Sequence, residues 1–183
     1  TGGCVRIQNV IPKHLESITA KLIEMNARVS VGDDYVEVSR SEKLHRVNIK
    51  TLPYPGFPTD MQPQICVLMC LADGISMLSE SVWDNRFRYV EELRRMGASI
   101  KVDGKTALVE GGAPLSGAHV RATDLRAGAA LVIAGLATAG KTEIDEIYLI
   151  ERGYDDIVNK LSGLGADIRK VILPDSALYD RAN

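Results

Sequence analysis

LRRMGASI at residues 93–100 is one of three copies of the pattern that decides the fold; the others are LIEMNARV at 22–29 and LSGLGADI at 161–168. The leading leucines of successive copies are 71 and 68 residues apart. Each copy is typical of the last turn of a helix, a Gly or Asn that ends it, and the start of a strand. The chain is therefore expected to consist of a repeated structural unit.

Working outward from the middle copy, hydrophobic periodicity and turn residues predict a unit with the order βαβαββ. Its predicted parts are a strand at 46–50, a helix at 59–72, a strand at 76–83, a helix at 84–96, and a hairpin of strands 99–102 and 106–109. The third unit is predicted to repeat this order, with strands 118–122, 142–150 and 166–173 and helices 123–139 and 152–164. The first has only the second half, namely strands 4–9, 27–31 and 35–39 and a helix at 12–25, so Thr1 is expected to enter a repeat that has already begun.

The helices of these units differ in polarity. Those at 64–72 and 127–139 are apolar nearly all round and should be buried on every side, whereas 12–25, 84–96 and 152–164 are amphipathic. We therefore predict an α/β (α+β) domain over residues 1–183 in which apolar helices lie inside and sheets outside, an inside-out barrel with an incomplete first unit. Its units would span about 1–45, 46–112 and 113–174, with a tail at 175–183. A solenoid is the alternative, although solenoid repeats are usually about 20–45 residues long.

Composition narrows the class of protein. The formal net charge is −2, and basic residues are interspersed with acidic ones, which argues against a nucleic-acid-binding face. The longest apolar run, 127–139, is shorter than the roughly 20 residues of a membrane-spanning helix, and no signal peptide is apparent. The three cysteines, Cys4, Cys66 and Cys70, form no CxxC motif and favour the reducing cytoplasm. Cys66 and Cys70 read as small core residues; a metal or redox pair is the alternative, without histidines at matching spacing.

Four predicted strand-to-helix turns contain the candidate functional residues. They are Thr59-Asp60-Met61-Gln62, Trp83-Asp84-Asn85-Arg86, Thr123-Asp124-Leu125-Arg126 and Glu151-Arg152-Gly153-Tyr154. Asp60 and Asp124 could simply cap helices. An arginine in a first helical turn faces the positive end of the dipole, so three of them, Arg86, Arg126 and Arg152, indicate an anionic ligand. Parallel strands gather such turns at one edge, and we expect Asp60 and the three arginines to converge there.

The same turns resemble those of the enolpyruvyl transferases. The resemblance rests on Tyr54-Pro-Gly-Phe-Pro-Thr-Asp-Met-Gln62, Asp84-Asn-Arg-Phe87, Ala122-Thr-Asp-Leu-Arg-Ala127 and Glu151-Arg-Gly-Tyr154, and it runs in order from about Thr1 to Val171. It implies a two-domain fold in which each domain has three βαβαββ units, with this chain forming most of the domain built by the C-terminal half. The other domain, with a lysine, an asparagine and a loop cysteine, has no match here, so the chain alone is expected to be inactive.

The resemblance implies transfer of the enolpyruvyl group of phosphoenolpyruvate to the 3′-hydroxyl of UDP-N-acetylglucosamine, the first committed step of peptidoglycan synthesis. It implies no metal or organic cofactor. Asp60 would be the base at the sugar hydroxyl, and Arg126 and Arg152 would bind phosphoenolpyruvate, with Arg86 nearby. Asp124 would orient the arginines or handle the proton. The remaining implied substrate-binding positions are Val82, whose backbone would touch the nucleotide sugar, and Leu125.

Two other functions stay open at the level of sequence. One is a non-catalytic repeat domain that binds an anion or a nucleotide sugar, and the other is a structural repeat whose helices are merely capped. In each case the incomplete first unit should leave a sheet edge and apolar surface uncovered. We therefore expect self-association through that edge, or poor solubility, unless ordered residues elsewhere cover the gap.

Overall fold

The computed structural model describes residues 1–172, which contain nine strands and six α-helices. The strands are β1 (Cys4–Gln8), β2 (Arg28–Val31), β3 (Tyr35–Ser39), β4 (Asn48–Lys50), β5 (Gly74–Ser79), β6 (Ser99–Asp103), β7 (Thr106–Gly111), β8 (His119–Arg121) and β9 (Glu143–Asp145). The helices are α1 (Glu16–Glu24), α2 (Gln62–Leu71), α3 (Val90–Arg95), α4 (Leu125–Leu136), α5 (Tyr148–Glu151) and α6 (Ile157–Gly163). Short 3₁₀ turns, Pro12–Leu15 and Thr59–Met61, precede α1 and α2.

The three copies of the repeated pattern end their helices in the same way. Asn26, Gly97 and Gly165 have φ angles of 69°, 92° and 92°, in the left-handed region. The amide of the alanine that follows each of them donates to the carbonyl of the leading leucine, at 2.9 Å in the first copy and 3.0 Å in the other two. These are the bonds of a Schellman motif. The predicted helix ends are confirmed.

The central unit has the predicted βαβαββ order. Its sheet is ordered β4-β5-β7-β6, with β4 parallel to β5 and β7 antiparallel to both of its neighbours. The first sheet is ordered β1-β3-β2, which reproduces the β5-β7-β6 part of the central one. Within residues 1–172 no strand pairs with the other side of β1, whose five residues are exposed. Self-association through this edge stays a prediction.

The third unit departs from the prediction after β9. The strand predicted at 142–150 ends at Asp145, because Glu146 adopts a left-handed backbone (φ 59°) and α5 follows. The helix predicted at 152–164 is only α6, which begins after another left-handed residue, Asp156 (φ 49°). Residues 166–172 form no strand, which corrects the strand predicted at 166–173. The predicted tail at 175–183 lies outside the described residues.

Helices α2 and α4 pack against each other at the centre, and the sheets cover them from outside. The prediction of burial on every side holds for most of α2, whereas Ile133 of α4 is 43% exposed. Cys66 and Cys70 are buried within α2, as the core interpretation predicts. A hydrogen bond with Cys66 and burial raise the pKa of the Cys70 thiol, which keeps it protonated. The helices of residues 1–172 are too short or too polar to cross a bilayer.

Close packing of α4 against α5 depends on Gly128. A Cβ atom at this position would lie 2.4 Å from Cγ1 of the buried Ile150 and 3.0 Å from Cβ of Ala122. We expect Gly128→Ala to lower the free energy of unfolding by about 1–3 kcal/mol, because extra volume in a filled core forces its neighbours apart. Thermal unfolding followed by circular dichroism would show the melting temperature falling by about 2–4 °C per kcal/mol.

The matched control for that substitution is Gly163→Ala at the end of α6. A Cβ atom there would meet nothing within 4 Å, and the backbone is not left-handed. Alanine favours a helix over glycine, so Gly163→Ala should leave the melting temperature unchanged or slightly raised. Equal melting temperatures for Gly128→Ala and Gly163→Ala would contradict the packing argument.

Candidate functional site

The candidate site lies where parallel strands end. β4 and β5 run side by side to Lys50 and Ser79, and β8 and β9 run side by side to Arg121 and Asp145. The segments after these four ends are those that the sequence singled out, which agrees with the rule that ligands bind beyond the carboxyl ends of parallel strands. Side-chain contacts then join segments from the second and third units.

Asp60 is the centre of these contacts. It lies in the 3₁₀ turn before α2, and its side chain does not cap the helix, so the capping interpretation is wrong for this residue. Its Oδ1 accepts a hydrogen bond from the guanidinium of Arg86 at 3.3 Å, and its Oδ2 accepts one from Arg126 at 2.7 Å. The Asp60 side chain is 54% exposed, so this doubly paired carboxylate faces solvent.

Arg86 reaches Asp60 from a loop rather than from a helix. The strand predicted at 76–83 ends at Ser79 and the helix predicted at 84–96 begins only at Val90, so Arg86 is not in a first helical turn. Asn85 before it has a left-handed backbone (φ 54°). The Arg86 side chain is only 18% exposed and also donates to the carbonyl of Thr59 at 3.5 Å.

The turn before α4 has the predicted form. Asp124 caps the helix, because its Oδ1 accepts hydrogen bonds from the amides of Arg126 at 2.8 Å and Ala127 at 2.9 Å. Arg126 lies in the first turn of α4, where its guanidinium also donates to the hydroxyl of Tyr154 at 3.4 Å. Hydrogen bonds, chiefly to Asp60 and secondly to Tyr154, raise the pKa of Arg126 above its usual value.

Leu125, in the same turn, packs against Gly153. A Cβ atom added at Gly153 would lie 2.7 Å from Cδ2 of Leu125.

Arg152 is placed differently from the other two arginines. It follows the last residue of α5 and is exposed, so the prediction that it begins a helix is wrong. Among the described residues, no hydrogen bond or ion pair joins Arg152 to Asp60. Its charge acts on Tyr148, whose pKa is raised chiefly by a hydrogen bond to Glu146 and is partly lowered again by Arg152 and Arg121.

Val82 lies in the loop after β5 and is 40% exposed. Its amide donates to Oε1 of Glu80 at 2.8 Å, so that donor is already used within the protein. Any contact of the Val82 backbone with a ligand would therefore use its carbonyl oxygen. Glu80 also explains why β5 stops at Ser79, since its carboxylate binds the backbone of the turn that follows.

Sequence reasoning assigned no role to two residues that shape the site, Tyr154 and Glu80. Tyr154 accepts hydrogen bonds from Arg126 and, at 3.2 Å, from Nε2 of Gln64 on α2, so its hydroxyl links both central helices. Glu80 is buried beneath the loop that carries Arg86. Tyr154 is the last residue of the Glu151-Arg-Gly-Tyr154 motif and could have been suspected from it, whereas a single glutamate between two serines gave no signal.

Several buried polar atoms around the site have no protein partner within residues 1–172. They are Nε2 of Gln62, Oε1 of Gln64, Nε of Arg86 and Oγ1 of Thr123. All four belong to segments that follow strand ends. Buried polar groups are normally satisfied by protein, water or ligand.

Comparison with known proteins shows which family this chain is similar to. Residues 1–161 match the family model described as EPSP synthase (3-phosphoshikimate 1-carboxyvinyltransferase). The chain is 57% identical over 171 residues to UDP-N-acetylglucosamine 1-carboxyvinyltransferase 3 of Caldanaerobacter subterraneus subsp. tengcongensis, covering 93% of this chain and 41% of that protein. It is 56% identical to UDP-N-acetylglucosamine 1-carboxyvinyltransferase 2 of Clostridium acetobutylicum, covering 92% of this chain and 40% of that protein.

Solved structures show the same fold. The enolpyruvyl transferase NikO from Streptomyces tendae superposes with a TM-score of 0.86 at 35% identity, covering 93% of this chain and 41% of that one. EPSP synthase from Acinetobacter baumannii superposes with a TM-score of 0.73 at 16% identity, which shows the fold alone, over 94% of this chain and 43% of that one. The chain spans about 40% of the length of the curated relatives that it matches. The match over residues 1–161 and these relatives together show that the chain belongs to the EPSP synthase family of enolpyruvyl transferases.

Proposed function

We propose that this chain supplies part of the active site of an enzyme that transfers the enolpyruvyl group of phosphoenolpyruvate to the 3′-hydroxyl of UDP-N-acetylglucosamine. The observation that carries the proposal is the Asp60 carboxylate held by two guanidinium groups, Arg86 and Arg126, from different repeat units. The names of relatives with 51–57% identity support the choice of substrates.

The reaction requires three kinds of group: a base for the sugar hydroxyl, an acid for the phosphoenolpyruvate methylene, and cations. The sugar O3′ adds to C2 as its hydroxyl loses a proton and the C3 methylene gains one. C3 then loses a proton as the bond from C2 to the phosphate oxygen breaks, which restores the double bond and releases phosphate. Cationic groups must also hold a phosphate and a carboxylate. Asp60 would accept the proton of the sugar hydroxyl, and the guanidinium groups would bind the anionic substrate.

The arrangement of Asp60 and Arg126 suits an exchange of partners. The two side chains are paired at 2.7 Å, and the carboxylate is more than half exposed. An incoming phosphate or carboxylate would compete with Asp60 for the fork of Arg126, which binds such groups in a bidentate manner. Binding of phosphoenolpyruvate would thus release one side of Asp60 toward the sugar hydroxyl. Asp124 would contribute by fixing the turn that carries Leu125 and Arg126.

The wider role follows from the same proposal. Transfer to UDP-N-acetylglucosamine would serve peptidoglycan synthesis, and with it cell-wall biogenesis, cell shape and cell division. The free thiols of Cys4, Cys66 and Cys70 support a cytoplasmic location. Because the chain spans about 40% of its relatives, we propose that the remaining domain completes the site and that the chain alone is inactive.

The test is reconstitution. Release of phosphate from phosphoenolpyruvate would be measured with UDP-N-acetylglucosamine, first for this chain alone and then for the full-length protein that contains it. We expect turnover only in the second case. Binding of both ligands without turnover in the full-length protein would favour the non-catalytic alternative, and no binding of either would leave a structural repeat.

Arg152 gives a prediction of its own. We expect Arg152→Ala in the full-length protein to reduce kcat/KM for phosphoenolpyruvate severely, by about 10²-fold, because it would remove a cation that holds the substrate. Steady-state kinetics at varied phosphoenolpyruvate would measure this. Arg169→Ala, an exposed substitution in the segment after α6, should leave kcat/KM unchanged. Unchanged kinetics in Arg152→Ala would remove this residue from the proposed site.

A further inference from the structure

A buried carboxylate lies directly beneath the candidate site. Glu80 follows β5 and is 2% exposed. Its Oε1 accepts hydrogen bonds from the hydroxyl of Thr51 at 2.7 Å and from the amides of Val82 at 2.8 Å and Trp83 at 3.0 Å. Its Oε2 accepts one from the hydroxyl of Thr59 at 2.9 Å. All four donors are neutral groups.

Hydrogen bonding keeps this carboxylate charged. Burial alone would favour the neutral acid, but the bonds from Thr51, the Trp83 and Val82 amides and Thr59 outweigh it and hold the pKa of Glu80 below its usual value. A charged group buried without an ionic partner is costly unless every acceptor position is used. The four hydrogen bonds satisfy the Glu80 carboxylate, and they also hold the four donor groups in place around it.

The donors belong to three segments that border the site. Thr51 follows the end of β4, Thr59 begins the 3₁₀ turn that contains Asp60, and Val82 and Trp83 lie in the loop that leads to Arg86. Thr59 is bound twice, since its carbonyl accepts from Arg86 at 3.5 Å. Thr51 reinforces the junction, because its hydroxyl accepts from the amide of Ser81 at 3.0 Å.

We propose that Glu80 is a positioning residue, which sets the place of Asp60 through Thr59 and the place of the Val82 backbone directly. This inference rests on the proposed function, since it assigns Glu80 to the same site. Glu80 touches no substrate position itself. It holds Asp60, the proposed base, and the loop that carries Arg86 at fixed positions relative to each other. A displacement of about 1 Å at such a site can lower the rate by about 10²-fold.

The test uses Thr59 rather than Glu80, because Glu80→Ala would leave four donors unpaired in the interior and could unfold the protein. Thr59→Val keeps the shape of the side chain and removes only the hydroxyl bonded to Oε2. In the full-length protein we expect kcat to fall about tenfold to hundredfold. KM for UDP-N-acetylglucosamine should change less than about threefold, because Val82 and Trp83 remain bonded to Glu80.

Two further variants separate positioning from general stability. Thr59→Ser restores the hydroxyl and should restore kcat to near the wild-type value. Thr106→Val removes a hydroxyl from β7, beside the end of β5, where it lies 3.3 Å from that of Ser79 and does not touch Glu80, and kcat should be unaffected. Thr59→Val should melt lower than Thr106→Val, because it leaves Oε2 of the buried Glu80 without its donor, so kcat is compared well below both melting temperatures.

The outcomes are distinct. If the wild-type protein transfers enolpyruvyl groups and Thr59→Val is as active as Thr59→Ser, the positioning role is overturned while the proposed function stands. A loss of kcat in Thr106→Val equal to that in Thr59→Val would also overturn it, because the effect would then reflect the sheet as a whole. A wild-type protein with no transferase activity would overturn the proposed function and this role together.

Discussion

Replacement of Asp60 by asparagine in the full-length protein is expected to lower kcat by about 10²–10⁴-fold, the usual contribution of a general base. Asparagine keeps the size of the side chain and an oxygen for one guanidinium, but it cannot accept the proton of the sugar hydroxyl. It also removes the negative charge that Arg86 and Arg126 share in the structure. Single-turnover kinetics with both substrates bound would isolate the chemical step.

Asp60→Asn should also change the affinity for phosphate, and this change should be an increase. With Asp60 neutral, the two guanidinium groups lose their internal anion, so inorganic phosphate should bind more tightly to Asp60→Asn than to the wild type. Isothermal titration calorimetry would measure this. Asp33→Asn, in the exposed turn between β2 and β3, is the matched control and should change neither quantity. A turnover rate near the wild-type value in Asp60→Asn would refute its assignment as the base.

Arg126→Lys is expected to reduce kcat/KM for phosphoenolpyruvate by about 10²–10³-fold while keeping the positive charge. The guanidinium of Arg126 binds Asp60 through Nη2 and Tyr154 through Nη1, and its carbon lies 5.7 Å from the centre of the tyrosine ring. A lysine ammonium is a point charge that cannot make this planar set of contacts. Steady-state kinetics at varied phosphoenolpyruvate would show the loss.

Arg28→Lys on the exposed strand β2 is the control for Arg126→Lys and should leave kcat/KM unchanged. A second comparison uses Tyr154→Phe, which removes one acceptor of Arg126 and leaves the aromatic ring in place. Its effect should be smaller than that of Arg126→Lys, since the pair with Asp60 remains. Equal activity of Arg126→Lys and wild type would show that charge alone suffices at this position.

The sequence was sufficient to place the main residues of the site after strand ends. A repeated βαβαββ unit implied parallel strands with the site residues after their ends, and Asp60 and Arg126 do follow the ends of β4 and β8. The expected common edge is wrong, because β4 and β8 belong to two separate sheets; packing of α2 against α4 brings the two side chains together. The helix ends were equally predictable, because a Gly or Asn at residues 26, 97 and 165 can adopt the left-handed backbone that ends a helix.

Other features depended on contacts that local sequence does not encode. Residues 84–89 carry helix-capping residues, yet the helix starts at Val90, because the preceding loop is bound to Glu80 and Arg86 is drawn toward Asp60. The apolar run at 147–150 was read as strand because short apolar runs do not distinguish strand from helix. Arg152 was consequently placed at the start of a helix, although it follows the end of α5.

The pairing of Asp60 with Arg126 joins positions that are 66 residues apart in the chain, one in the 3₁₀ turn before α2 and the other in the first turn of α4. It is therefore a salt bridge that connects the second and third repeat units. A substrate anion that replaces Asp60 would have to bind both Arg86 and Arg126 to maintain this connection between the two units. Occupancy of the site and cohesion of the second and third units are thereby thermodynamically linked, so phosphate or phosphoenolpyruvate should make the two units melt more cooperatively.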